Sequence, residues 1–187
     1  MYRQSYPLAP GAALLAFAFA GACGGTGGKG GSAPPGSESK EAVATLDGKS
    51  GSQMTGQAVA TAAGDKVTLK IEVTGATPGE HAVHIHEKGD CSAGDASSAG
   101  PHWNPTNEAH GKWGNPPYHL GDIGNMQVGD DGRGSISLTT DRWTLGTGTS
   151  DDLVGHSVVV HAGADDFTSQ PSGSSGDRVG CGVLRLR

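Results

Sequence analysis

Residues 66–74 read KVTLKIEVT, and the apolar positions Val67, Leu69, Ile71 and Val73 fall on every second residue. Successive strand side chains point to opposite faces, so this alternation describes an antiparallel strand with one face buried and one in water. The same rhythm extends outward. Ala42, Ala44 and Leu46 share one parity upstream, and Ile136 and Leu138 repeat the alternation downstream. Turn signals at Gly64-Asp65, Thr77-Pro78-Gly79, Asp130-Asp131-Gly132 and Gly146-Thr147-Gly148 have the spacing of a sandwich or barrel. There are 33 glycines in 187 residues, more than twice the usual share of about 7%, and aromatics make up only 5%, which predicts many turns and a lightly aromatic core. The chain therefore reads as all-β. Two stretches break the rhythm, 87–124 and 162–178, and loops this long in a compact β domain are usually functional.

Lys and Arg number 13 against 19 Asp and Glu, a net charge of -6, which argues against an electrostatic grip on nucleic acid. No apolar run reaches the roughly 18 residues of a membrane span. The first 23 residues hold one charge, Arg3, then an apolar stretch from Gly11 to Ala20 and small residues leading into Cys23. This pattern predicts an export signal over 1–22, with Ala20-Gly21-Ala22-Cys23 resembling the box after which bacterial lipoproteins are cleaved and acylated on the cysteine. The alternatives are a plain secretory signal or a misassigned start. Removing residues 1–22 takes away Arg3 and moves the charge from -6 to -7. Residues 24–40 hold seven glycines and nothing apolar enough to bury, so 23–40 reads as a lipid-anchor cysteine with a flexible linker whose reach is about 23 Å. Residues 41–187 form the folded domain. The expectation is an exported protein of the cell envelope or periplasm, touching the membrane only through its lipid. Its other two cysteines, Cys91 and Cys181, are an even pair and read as one disulfide, the alternative being two buried thiols.

Six of the eight histidines lie between His81 and His119. In HAVHIH (81–86), His84 and His86 share one face about 6.5 to 7 Å apart, while Val83 and Ile85 face the other way. Two imidazoles so placed can reach one metal. His81 has the parity of Val83, which predicts a core histidine bonded to backbone carbonyls. His102, His110, His119 and Asp122 offer three nitrogens and a carboxylate, a closed tetrahedral set of the kind zinc takes in structural sites. His161, at the end of Ser157-Val158-Val159-Val160, completes a second set with His84 and His86. Such imidazole-rich sites suit copper or zinc, and the pattern leaves that choice open.

HAVHIHEKGDC (81–91), SAGPHWNP (98–105), His110-Gly111, HLGDIGN (119–125), VVVHAGADD (158–166) and GDRVGCGVL (176–184) together resemble the copper,zinc superoxide dismutases in their exported bacterial form. The resemblance runs in order through about residues 41–187. It implies an eight-stranded flattened Greek-key β-barrel, related to the immunoglobulin-like sandwich, with two long functional loops; that family is itself a named example of the architecture. Carried over by position, His84, His86, His102 and His161 would bind copper. His102 would be the imidazolate shared with a zinc held also by His110, His119 and Asp122, one ion of each metal per subunit. Asp165 resembles the carboxylate that hydrogen-bonds His84 and His110, whereas taken alone it reads as a loop-capping acid, and Asp166 reads as a turn residue. Arg178, three residues before Cys181, matches the arginine that would attract and orient superoxide over the copper; taken alone it reads as a surface ion pair. The catalytic residues would be His102 and Arg178, with Lys88 and Lys112 as unassigned contributors to the local positive field.

The activity so implied is dismutation of superoxide to O2 and H2O2, as a defence of the cell envelope. The competing readings are a catalytically silent copper/zinc-binding or copper-delivery module, and a structural barrel with vestigial metal sites. His156 has no family role and reads as a surface or strand-end residue. Trp113 reads either as an anchor for a homodimer or as packed under its own loop, so monomer and homodimer both stay open. Ala82-Val83 and Val179-Gly180 depart from the family's more usual pairs and imply local differences in packing.

Overall fold

The computed structural model describes residues 39–187, so the expected signal segment, Cys23 and most of the linker lie outside the described residues. Nine strands follow in chain order: β1 (Glu41–Gly48), β2 (Thr55–Ala63), β3 (Lys66–Thr74), β4 (Gly79–His86), β5 (Asp122–Val128), β6 (Gly134–Thr140), β7 (Ser157–His161), β8 (Arg178–Val183) and β9 (Arg185–Leu186). They are ordered β2-β3-β6-β5-β4-β7-β8-β1-β9, and a further pairing of β1 with β2 closes the sheet. β8 and β9 meet β1 in one register, Gly48 opposite Gly180 and Asp47 opposite Cys181, then Val43 opposite Arg185 and Ala42 opposite Leu186. They are thus one strand interrupted at Leu184, and the barrel has the eight antiparallel strands expected. β3–β6 and β4–β7, adjacent in space but not in sequence, make the Greek-key crossings.

The alternation in β3 holds: Val67, Leu69, Ile71 and Val73 face inward at 2% exposure or less. Ala42, Ala44 and Leu46 of β1 meet them in the same core, joined by Val83 and Ile85 of β4. Burying each of these larger side chains contributes about 1.5–3 kcal/mol. β2 lines the core with alanines, Ala58 and Ala60 fully buried and Ala62 partly so. Trp143 closes it from the β6–β7 connection, its indole N–H donating to Leu120 O at 3.1 Å. Trp113 packs within its own chain, half-buried, with ring centroids 5.0 Å from Tyr118 and 5.1 Å from Trp143.

Two long loops lie across the outward face of β4. The first spans residues 87–121, ending earlier than expected because Asp122 already belongs to β5; the second spans 162–177. The expected turn at Gly146-Thr147-Gly148 proves to be part of a longer connection between β6 and β7. It needs no strand partner because the Asp152 carboxylate accepts the N–H groups of Gly146, Thr147, Gly148 and Val154 at 2.7–2.9 Å. Cys91 and Cys181 form the expected disulfide, tying the first loop to β8. Among the described residues no helix is long and apolar enough to cross a membrane.

Candidate metal centre

β4 is buried on both faces from His81 to His86. Val83 and Ile85 point into the barrel, while His84 and His86 point outward beneath the loops, their ring centroids 6.5 Å apart. The β4–β5 register shifts between Val83 and His84. Beyond that bulge the first loop takes over the free edge of β4: Ile85 N–H donates to Gly121 O, and Trp103 N–H donates to Ile85 O, each at 2.8 Å. A Cβ at Gly121 would lie 2.3 Å from Ile85 O, so only glycine allows this approach. The consequence is that His102 is set beside His86. His81 behaves as expected, 2% exposed, with its ring nitrogens 2.7 Å from His161 O and 2.8 Å from Thr77 O.

All the predicted ligands come together in two buried groups, His84, His86, His102 and His161, and His102, His110, His119 and Asp122. His102 belongs to both. Within each group the candidate donor atoms lie within 4.8 Å of one another. In the second group the Nδ1 atoms of His102, His110 and His119 stand 2.9, 3.1 and 3.1 Å from the single oxygen Asp122 Oδ1. His119 Nδ1 is 3.5 Å from His102 Nδ1. A tetrahedron with arms of about 2.0 Å has edges of about 3.3 Å, so these spacings fit one small cation at the centre. In the first group His84 Nδ1, His86 Nε2, His102 Nε2 and His161 Nε2 are all buried and have no hydrogen-bond partner. Buried polar atoms are seldom left so, and four converging imidazole lone pairs are a donor set suited to copper.

The opposite nitrogens fix the tautomers. His86 Nδ1 lies 2.8 Å from Gly100 O, which can only accept, so the proton is on Nδ1 and the lone pair on Nε2. Asp165 spans the two groups, its Oδ2 2.8 Å from His84 Nε2 and its Oδ1 2.9 Å from His110 Nε2. It is 3% exposed, and the two rings it bonds are the ones named for it by the resemblance. The sequence reading missed Asn125, whose side-chain amide donates to Asp165 O at 2.9 Å and accepts Asp165 N–H at 2.7 Å. Its position within HLGDIGN was the only signal. Asp166 is exposed and caps its own turn, accepting the N–H groups of Thr168 and Ser169.

Burial, followed by the charge of the neighbouring His102, lowers the pKa of His86 to about 2. Burial likewise lowers His161 to about 3 and, against the opposing hydrogen bond to Asp122, His102 to about 4. These rings are neutral at pH 7, the form a metal needs. Burial would lower His110 as well, but the Asp122 and Asp165 carboxylates outweigh it and raise His110 to about 9. Burial acts to raise both carboxylates, yet their imidazole hydrogen bonds prevail and hold them well below the usual range.

A channel of about 1000 Å³ opens onto the first group, with His86, His102 and His161 at its floor and Trp103, His156 and Arg178 on its walls. Arg178 donates from Nη1 to Ala96 O and from Nη2 to Gly100 O, both at 2.8 Å. It is not the surface ion pair that its neighbour Asp177 suggests. Gly100 O thus orients both a candidate ligand and the guanidinium. Among the described residues that line the channel Arg178 is the single Lys or Arg, and neither Lys88 nor Lys112 reaches it. Lys112 instead lies over the Phe167 ring, 5.4 Å from its centroid. His156 stands just before β7 as expected and also lines the channel, packed at 4.6 Å on Trp103.

A closed Greek-key barrel carrying two buried, imidazole-rich groups that share one histidine defines a dinuclear metalloprotein. Residues 54–184 match the family described as copper/zinc superoxide dismutase (SODC). A Cu-Zn superoxide dismutase of Onchocerca volvulus is 40% identical over 128 residues, which is 64% of this chain and 79% of that one. The crystal structure of the clock protein EA4 is similar at 33% identity and a TM-score of 0.69, covering 79% of this chain and 94% of that chain. A double mutant of a SOD-like protein from Bacillus subtilis is similar at 33% identity and a TM-score of 0.68, covering 76% of this chain and 96% of that chain. This chain belongs to the copper/zinc superoxide dismutase family. It is an oxidoreductase that dismutes superoxide, with copper and zinc as its cofactors.

Proposed function

We propose that His84, His86, His102 and His161 hold the copper and that His102, His110, His119 and Asp122 hold the zinc, with the His102 imidazole shared. The observation that carries this assignment is the two-sided placement of His102. Its Nδ1 stands 2.9 Å from Asp122 Oδ1 in one group, and its Nε2, buried and unpartnered, belongs to the other. An imidazole gives up both ring protons readily only between two positive charges. When bound, copper supplies a one-electron couple and zinc, which has no redox chemistry, a fixed charge.

The chain's residues do the rest. One superoxide gives up an electron and leaves as O2; a second takes up an electron and two protons and leaves as H2O2. Arg178, its fork fixed by two carbonyls, directs its remaining N–H groups toward the channel and binds the anion. His102 Nε2 is the atom at which one of the two protons is held and handed on, the other coming from water. Asp165 keeps His84 and His110 oriented, and such partners are commonly as necessary as the ligands themselves.

We propose further that the enzyme is exported through residues 1–22, acylated on Cys23 and held in the cell envelope through the segment that follows, where it removes extracytoplasmic superoxide. The N-terminal sequence supports this, as does the Cys91–Cys181 disulfide, since disulfides persist in oxidising compartments. The deciding experiment compares superoxide consumption by the full chain loaded with copper and zinc against zinc alone. A copper-dependent rate that Arg178→Ala lowers supports the assignment. Copper bound without turnover would favour the metal-handling module. Incorporation of radiolabelled fatty acid that Cys23→Ser abolishes tests the anchor.

A further inference from the structure

We propose that Gln170 is a positioning residue for the zinc group, acting through the main chain of His110. Residues 105–118 contain no strand, and among the described residues the His110 main chain makes no backbone hydrogen bond. Its N–H donates to Gln170 Oε1 at 2.9 Å, and its C=O accepts from Gln170 Nε2 at 2.9 Å. One side-chain amide thereby supplies the two-point pairing that a neighbouring strand would give. His110 is 3% exposed, so without Gln170 both main-chain groups would be buried and unpaired.

The second loop grips the same histidine again from the ring side. Asp165 bonds His110 Nε2, and Gly173, three residues beyond Gln170, packs directly onto that bond. Gly173 has φ +67, and a Cβ there would lie 1.8 Å from Asp165 Oδ1 and 2.7 Å from His110 Nε2. With its main chain held by Gln170 and its Nε2 held by Asp165, His110 has one direction left for Nδ1, toward Asp122. Gln170 therefore fixes a metal ligand that it never touches through the ring.

This inference rests on the reading of His102, His110, His119 and Asp122 as a zinc group. It is tested on the full chain with its disulfide intact, in the parent and in Gln170→Ala, Gln170→Met, Gln170→Glu and Ser169→Ala. The probes are Co(II) and Zn(II) alone, read as the visible absorption of bound Co(II) and as dissociation constants by competition with a chelator. Gln170→Ala and Gln170→Met should each bind about 10- to 100-fold more weakly with altered cobalt bands, and Ser169→Ala should match the parent. Gln170→Glu keeps the acceptor for His110 N–H but not the donor to His110 O, and should fall between. If the alanine variant fails to fold, the methionine variant, which fills similar volume without an amide, carries the test. Parent affinity and spectrum in Gln170→Met would show that the side chain only fills space and would overturn the proposal. Unchanged binding in every variant would overturn it too. A parent chain that takes up neither ion overturns the zinc reading itself, an outcome distinct from a difference among variants.

Discussion

Asp165→Asn is expected to weaken the metal group whose histidine loses its acceptor oxygen. The carboxylate accepts one ring N–H from each group, at 2.8 Å from His84 and 2.9 Å from His110, as well as Phe167 N–H at 2.7 Å. Asparagine has one acceptor oxygen, so whichever ring keeps it, the other ring N–H faces an amide N–H among side chains that are fully buried. Hydrogen bonds to charged groups contribute about 1.5–3 kcal/mol. Loss of such a partner typically lowers metal affinity by about 10- to 100-fold, which corresponds to about 1.4–2.7 kcal/mol. The two estimates agree. Relief by a side-chain shift is blocked, because Gly173 packs on the carboxylate and Asn125 pins its main chain at both ends. The assay is competition of the purified chain against chromophoric chelators for zinc and, separately, for copper at neutral pH. The reasoning is refuted if the variant binds both ions within about twofold of the parent, well inside the loss expected for such a partner.

Arg178→Glu should reverse the salt dependence of turnover. The chain carries -6 overall, yet among the described residues Arg178 is the single Lys or Arg on the channel wall, so the parent's rate at limiting superoxide should fall as ionic strength rises and the variant's should rise from a value about 10-fold or more lower. Superoxide dismutase is itself a standard example of such steering, and equal salt slopes in the two proteins would contradict the local field inferred here. Opening the disulfide in a Cys91→Ser, Cys181→Ser chain frees a loop of 90 residues and should lower stability by at most about 4–5 kcal/mol, read by urea unfolding of the metal-free proteins. Asp152→Asn tests a carboxylate away from the metals: burial acts to raise its pKa, but four backbone N–H groups prevail and depress it. A depressed folded pKa gives stability present above the unfolded value of about 3.9 and lost as pH falls through the folded one. The gap in unfolding midpoint between the metal-free parent and variant should therefore be widest above about pH 4 and shrink below it; a gap that stays constant with pH would assign the loop's stability to something other than that charge.

The sequence exposes whatever is written in local periodicity. β3 alternates large apolar residues with polar ones and is legible at once, whereas β2 presents Ala58, Ala60 and the partly buried Ala62 to the core with Val59 on the opposite parity, so its apolar residues fall on both faces and mark neither. The closure of the barrel by β1 and β2 and the crossing of β3 with β6 are pairings between distant segments, which no window of sequence contains; the family resemblance supplied them. Among the site residues, His84 and His86 followed from strand parity alone. The clamps of Asn125 on Asp165 and of Gln170 on His110 span 40 and 60 residues, and an asparagine or glutamine in a loop looks the same whether it holds a main chain or faces water. Trp113 was ambiguous for a related reason: Tyr118 shares its loop, but Trp143 is brought to it from the separate connection between β6 and β7.

The shared register of β8 and β9 along β1 also sets where the two ends of the barrel's chain lie. Ala42 faces Leu186 at one end of this pair, and the Arg178 end of the same strand meets the channel. Eight residues of extended chain separate Arg178 from Leu186, roughly 26 Å. Residues 39–41 and 185–187 therefore leave the barrel together, at the end far from the opening. Grafting the domain to a bead, an electrode or a fusion partner through either terminus would point its catalytic mouth toward the solution, whereas coupling through the lysines of the metal loops would risk turning it to the wall.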